Sequence, residues 1–167
     1  VGGATDYFDA FIGNNGLEYV LTTEMTDEEI LSEFVSSTLP YKLREALKAY
    51  VRTVSGPLAV RSSSKLEDSH YQPFAGIYST YMIPYTEGNE DRQLRLLQKA
   101  IKSVYASTYF AASKAYVQSS QNLIAEEKMA VVIQEVCGTE QDGLYFPTCS
   151  GVARSINYYP IGDEAPA

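Results

Sequence analysis

The residues best equipped for chemistry lie in one stretch, PLAVRSSSKLEDSHYQPFAG, from Pro57 to Gly76. A short apolar run, Leu58-Ala59-Val60, gives way to Arg61 and then to Ser62, Ser63 and Ser64. A guanidinium carries several donors in a rigid fork, and that geometry suits phosphate oxygens. The serines add hydroxyl donors and a backbone whose N–H groups can turn toward an anion. Gly76 has no Cβ, so a ligand can approach its backbone closely. Thr80, four residues on, returns a hydroxyl to the same neighbourhood. Together these groups read as a triphosphate cradle. A second reading stands beside it: Arg61 as an ion-pair residue for Glu67 or Asp68, with the serines as a turn.

Either reading needs a strand to hold Arg61, and Leu58 to Ser62 has the length and composition of a short buried strand behind the Gly56-Pro57 break. Upstream, residues 5–13 place Phe8, Phe11 and Ile12 near helical spacing, with Gly13 able to stop the turn. Leu17 to Leu21 reads as a short strand or a connector. Thr26-Asp27-Glu28-Glu29 is a capping box, and the helix behind it carries Ile30, Leu31, Phe34 and Val35 on one face. Pro40 ends that region. A further helix over 41–53 presents Leu43, Leu47, Tyr50 and Val51.

Beyond the polar segment from Lys65 to Pro73, Gly76 to Pro84 predicts a strand and Thr86 to Asn89 a turn. The longest helical pattern runs from about Glu90 to Gln118, with a break near Ser107 and a stripe of Leu94, Leu97, Ile101, Val104 and Tyr105; Phe110 and Tyr116 continue it. Ala130 to Val136 is a nearly continuous apolar run, as in a strand covered on both faces. Gly143 to Phe146 and Val152 to Tyr159 predict two more strands around a turn at Cys149-Ser150-Gly151. Helices come first and strands cluster late, so the fold class is α+β. The organisation expected is a helical lead-in over 1–55, a core over 56–160 and a tail over 161–167.

The 167 residues carry a formal net charge of −8. No Lys/Arg cluster supplies the basic footprint of a nucleic-acid binder, and the acidic balance disfavours an anionic membrane surface. No apolar run approaches the roughly 18 residues of a membrane span, and no signal peptide is visible. Cys137 and Cys149 lack metal or redox spacing, so a reduced, cytoplasmic setting is expected. His70 is the one histidine, which excludes a mechanism needing two. The chain opens at Val1-Gly2-Gly3 without Met and stops soon after a Tyr-rich run, so a fragment of something longer is expected.

The segment from Val60 to Gly76 resembles, without a gap, the VRSSATAEDLPEASFAGQ signature of the nucleotide-binding domain of phosphoenolpyruvate synthase and pyruvate phosphate dikinase. Val60, Arg61, Ser62, Ser63, Glu67, Asp68, Phe74, Ala75 and Gly76 agree, and the family's following Thr falls on Thr80. The helix IKSVYASTYFAASKAY, the strand AVVIQEV and the block DGLYFPTCSG are similar to later family blocks, in order, so the likeness spans about Pro57 to Pro160.

The resemblance implies an ATP-grasp-like fold, a partial nucleotide-binding domain in which ATP sits between two α+β lobes. It implies that Arg61, Ser62, Ser63, Gly76 and Thr80 bind the phosphates. Gln134, Glu135 and Val136 would form a strand edge reading adenine, because one backbone C=O and one N–H match the base. Mg²⁺ is the implied metal, with its ligands beyond Ala167. No catalytic residue and no metal ligand is expected within the chain. The family's Gly-Gly-Lys loop is not matched, since Gly2-Gly3-Ala4 has no lysine. His70 is not given the role of the family's phosphorylated histidine, which belongs to another domain. The implied activity of the full protein is transfer of a phosphoryl group from ATP, through that histidine, to pyruvate, and the chain alone should not turn over. Alternatives are a dikinase with another acceptor, similar to rifampin phosphotransferase or glucan dikinases, and a non-catalytic ATP-grasp interaction module.

Overall fold

The computed structural model describes residues 2–3, 5–64, 78–119 and 128–151. The chain divides into two compact units, Val1–Val136 and Cys137–Ala167. In the first, helices α1 (Thr5–Asn15), α2 (Asp27–Ser36), α3 (Tyr41–Val51), α4 (Glu90–Ser107) and α5 (Ala111–Ser119) accompany strands β1 (Gly2–Gly3), β2 (Leu58–Ser64), β3 (Tyr81–Ile83) and β4 (Met129–Glu135). The sheet order is β1-β4-β2-β3, and every neighbour is antiparallel. Helices and antiparallel strands thus mix as the α+β expectation requires. Among the described residues no helix is long and apolar enough to cross a membrane.

Each helix forms where its apolar period and end signals agree. The capping box at α2 is complete: the Glu29 N–H donates to the Thr26 hydroxyl at 3.2 Å, and the Thr26 N–H donates to the Glu29 carboxylate at 2.8 Å. At its other end Lys102 of α4 donates to the carbonyls of Val35 and Ser37, which α2 leaves unpaired. Gly13 does not stop α1. The helix runs to Asn15, and Gly16 follows it at φ 62°. Leu17–Leu21 is a 3-10 helix, neither strand nor plain connector. The helix after Pro40 ends at Val51. The break near Ser107 falls as the pattern predicts, and there the buried Ser113 hydroxyl donates to the Ser107 carbonyl at 2.6 Å.

The helices build one core against one face of the sheet. Phe8 and Phe11 of α1, Ile30 and Phe34 of α2, and Leu97, Ile101, Val104 and Tyr105 of α4 meet Leu58 and Val60 of β2 and Met129, Val131 and Ile133 of β4. An aromatic group ties α1 to α4, with the Phe8 and Tyr105 ring centroids 5.1 Å apart edge to face. Residues within 1–55 and 56–136 therefore share this core. β4 alternates buried with half-buried residues, so its second face is not packed as the apolar run suggested. β2 is two residues longer than expected, and among the described residues of the strand expected over Gly76–Pro84, Tyr81–Ile83 form β3.

In the second unit β5 (Thr139–Gln141) and β6 (Leu144–Phe146) form a hairpin. Its turn places Asp142 and Gly143 at φ 52° and 79°, the two left-handed residues a tight hairpin turn needs. The segment Lys65–Pro73, the strand expected over Val152–Tyr159 and the tail over 161–167 lie outside the described residues.

Candidate functional site

The central strand β2 places its side chains alternately on two faces. Leu58, Val60 and Ser64 are buried toward the helices, while Arg61 on the opposite face is exposed. Arg61 pairs with Val132 of β4, and Ala59 pairs with Gln134. Gln134 is thus the diagonal neighbour of Arg61 on the same open face. The Arg61 Nη1 donates to the Gln134 Oε1 at 3.5 Å. Two residues singled out 73 positions apart are brought side by side.

Arg61 sits inside the strand rather than at its end. The sheet holds its backbone from the β4 side, since β4 pairs with β2 along its whole length while β3 pairs with it as far as Val60. Ser63, two residues on, shares the Arg61 face. Ser62 does not, because alternation turns its side chain to the face of Val60 and Ser64. The pair Ser62 and Ser63 is thereby split, and only Ser63 can act with the guanidinium through its hydroxyl. Thr80 is exposed and directly precedes β3, whose last pair with β2 is Tyr81 with Val60. Continuing that register carries Thr80 to the level of Arg61, on the open face. Gly76 lies outside the described residues, as do Glu67 and Asp68.

The strand edge at Gln134–Val136 is already partly engaged. The Val136 N–H donates to the Pro57 carbonyl at 2.8 Å. The Glu135 carboxylate accepts from the Ser55 N–H at 3.1 Å. Gly56 permits that approach, since a Cβ there would stand 2.9 Å from the carboxylate oxygen. The same carboxylate helps raise the Tyr50 phenol above its ordinary range, behind the larger effect of partial burial. An antiparallel ladder turns successive residues to opposite neighbours. With Gln134 and Val136 facing β2, the Glu135 N–H and C=O face the β1 side, where β1 pairs only with Val131 and Val132. The Glu135 backbone groups thus point away from β2, while the Val136 N–H is held by Pro57.

Three residues not singled out from sequence complete the open face. Val132 lies beside Arg61, Ala59 lies beside Gln134, and Met82 pairs with Ala59 from β3. Met82 is 61% exposed. The period of two counted outward from Arg61 would have found Ala59, but only the strand pairing finds Met82 and Val132. Among the described residues no group of three His, Cys, Asp or Glu side chains is placed to hold a metal.

The family match and the relatives make this chain a nucleotide-binding domain of a phosphotransferase family. The chain belongs to the pyruvate phosphate dikinase, AMP/ATP-binding domain family, whose description matches residues 4–165. It is 34% identical over 119 residues to the uncharacterized phosphotransferase YvkC of Bacillus subtilis, covering 71% of this chain and 12% of that protein. It is 33% identical over 131 residues to the phosphoenolpyruvate synthase of Aeropyrum pernix, covering 74% of this chain and 15% of that protein. The chain thus spans about one seventh or less of the length of these relatives.

Proposed function

We propose that this chain is the ATP-binding part of a phosphoenolpyruvate synthase-like phosphotransferase with an ATP-grasp fold. The whole protein passes a phosphoryl group from ATP to a histidine of another domain and then to pyruvate. The observation that carries the reading is the meeting of Arg61 and Gln134 on one open sheet face, in a chain of an AMP/ATP-binding family. Arg61 holds phosphate oxygens through its fork of donors, and Gln134 orients that fork from the neighbouring strand. Ser63 and Thr80 add hydroxyl donors on the same face, and Gly76 contributes by its place in the motif. The backbone of Glu135 supplies the C=O and N–H that read the amino group and ring nitrogen of adenine.

Mg²⁺, when bound, neutralises charge on the transferring phosphates. Its protein ligands would lie in other parts of the full protein, as the family resemblance implies. Everything this chain contributes is binding and orientation; the acceptor chemistry belongs to other domains.

The test is titration of the whole protein with ATP, wild type against Arg61→Ala. Removing a charged partner of a phosphate is expected to cost about 2–4 kcal/mol, roughly 30- to 700-fold in Kd. An unchanged Kd would remove Arg61 from the site. A second reading keeps ATP and changes the acceptor, because the chain is as similar to a phosphotransferase whose name gives no acceptor as to a phosphoenolpyruvate synthase. Pyruvate-dependent consumption of ATP by the whole protein favours the first reading; consumption indifferent to pyruvate favours the second.

A further inference from the structure

A cavity of about 400 Å³ lies where the end of α3 meets the turn between β3 and α4, and none of its lining residues belongs to the Arg61 face. Its buried lining is Val51, Val54 and Gln93, and Gln93 is only 2% exposed. The Gln93 Oε1 accepts from the Thr86 N–H at 3.1 Å, which sets the orientation of the amide. The Gln93 Nε2 then has no acceptor among the described residues, and a buried donor left unpaired is costly. The rim carries Arg52, Glu90 and Asp91. The Arg52 Nε donates to the Glu90 carboxylate at 3.4 Å, so those two charges offset each other. Asp91 has no ion-pair partner among the described residues and leaves the rim with one negative charge. The same residues open helix α4. The Asn89 side chain accepts from the Arg92 N–H and its carbonyl from the Gln93 N–H, so the N–H groups of Glu90 and Asp91 remain without a partner among the described residues.

We propose that this cavity binds a small aliphatic amino acid as its zwitterion, with the carboxylate taken by the Gln93 Nε2 and the N-terminal end of α4, and the ammonium held by Asp91. The unpaired Nε2 asks for an acceptor oxygen, and the start of an 18-residue helix favours a negative charge beside it. A plain carboxylate meets opposition here, from Asp91 on the rim and from a chain of net charge −8. A plain amine suits Asp91 but leaves the Gln93 donor unmet. A zwitterion answers both demands and enters with no net charge. The ends of the two helices support the same polarity. α3 ends at Val51, and the negative end of its dipole favours the ammonium, while the positive end of α4 favours the carboxylate. Val51 and Val54 give the side chain an apolar surface, which points to an aliphatic group. The volume falls in the range of small-molecule pockets. The inference stands apart from the reading of Arg61, since no residue is shared.

The test is calorimetric titration of the whole protein with three probes: L-valine, isobutylamine, which is valine without its carboxylate, and isovalerate, which is valine without its ammonium. Valine should bind saturably, and each half-molecule should bind at least roughly tenfold more weakly, the loss of one charged hydrogen-bonded group. The variants are Gln93→Glu and Asp91→Asn, each checked for a wild-type melting temperature. Gln93→Glu keeps an acceptor for the Thr86 N–H, removes the donor and sets a negative charge against the ligand carboxylate, so valine should weaken roughly tenfold or more. Asp91→Asn should weaken valine several-fold and leave isovalerate no weaker than before. Absence of heat with valine means that the cavity holds water alone and overturns the proposal. Isovalerate or isobutylamine binding as tightly as valine overturns it as well, because one end of the ligand would then go unrecognised. Wild-type affinity for valine in either folded variant places the amino acid elsewhere and overturns the site. Asp91 is exposed, so Asp91→Asn remains informative even where Gln93→Glu impairs folding.

Discussion

Tyr105 of α4 offers a stability prediction whose sign is unusual: removing its hydroxyl should stabilise the chain. The side chain is fully buried among Phe8, Phe11 and Tyr7, and its hydroxyl has no hydrogen-bond partner among the described residues. A buried polar group without a partner costs about 1–3 kcal/mol. Tyr105→Phe keeps the ring, and with it the edge-to-face contact with Phe8, and gives back part of its gain through the small void left by one oxygen. A net stabilisation of about 1 kcal/mol is expected at pH 7.5, or about 2–4 °C in Tm for a chain of this size. Burial, helped by Tyr7, also lifts the Tyr105 phenol well above its usual range, and burial does the same for Tyr109 with Asp9 and Glu18 adding to it. A raised folded-state value means that the neutral phenol is favoured by folding. Its contribution is whole below about pH 10 and is lost as the unfolded chain ionises above that, at about 1.4 kcal/mol per pH unit for each such tyrosine. Tyr105→Phe should therefore flatten the decline of stability above pH 10 by that amount and leave the share of Tyr109. Urea unfolding of both chains at pH 7.5, 10 and 11, followed by circular dichroism, reads both effects. A Tyr105→Phe chain less stable than wild type at pH 7.5 would mean that the hydroxyl has a partner. An identical alkaline slope would mean that the phenol is not shielded.

Two further stability predictions follow from helix ends. Thr26→Ala removes the hydroxyl that accepts from the Glu29 N–H and should cost about 1 kcal/mol in urea unfolding, with Thr26→Asp recovering most of it. Lys102→Met keeps the apolar stem but strips the donor from the Val35 and Ser37 carbonyls, and should lower the unfolding free energy by about 1–3 kcal/mol. A midpoint within error of wild type for Lys102→Met would show that water serves those carbonyls equally well.

The helices were the most legible part of the fold because their signals are local. The capping box at Thr26 and Glu29, the apolar stripe of α4 and its break at Ser107 are read within one or two turns of chain, and the structure repeats them. Glycine was a poorer guide. Gly13 lies inside α1, which runs on to Asn15, and the stop comes at Gly16, whose backbone takes the left-handed conformation. The hairpin of β5 and β6 was half missed. Its Asp142-Gly143 turn is a strong local signal, but Thr139–Gln141 is too short and polar to announce a strand before its partner is known.

The proposed site divides along the same line. Arg61 stood out because an arginine after an apolar run is locally odd, and its kinship to Gln134 could be named by resemblance, whereas their contact depends on a strand register no local pattern encodes. Reading the polar run as a single cradle overlooked the period of two. Adjacent residues of a strand face opposite ways, so a row of hydroxyls in β2 cannot converge on one ligand, and Ser62 is separated from Arg61 by the same geometry that keeps Ser63 beside it. That alternation also explains why Ala59 and Met82 escaped notice. An alanine and a methionine in an apolar context look like core; the period of two from Arg61 puts Ala59 on its face, and the pairing of β3 with β2 adds Met82. The charge on the open face is legible from one residue; the side chains that stand beside it are legible only once three strands are laid side by side.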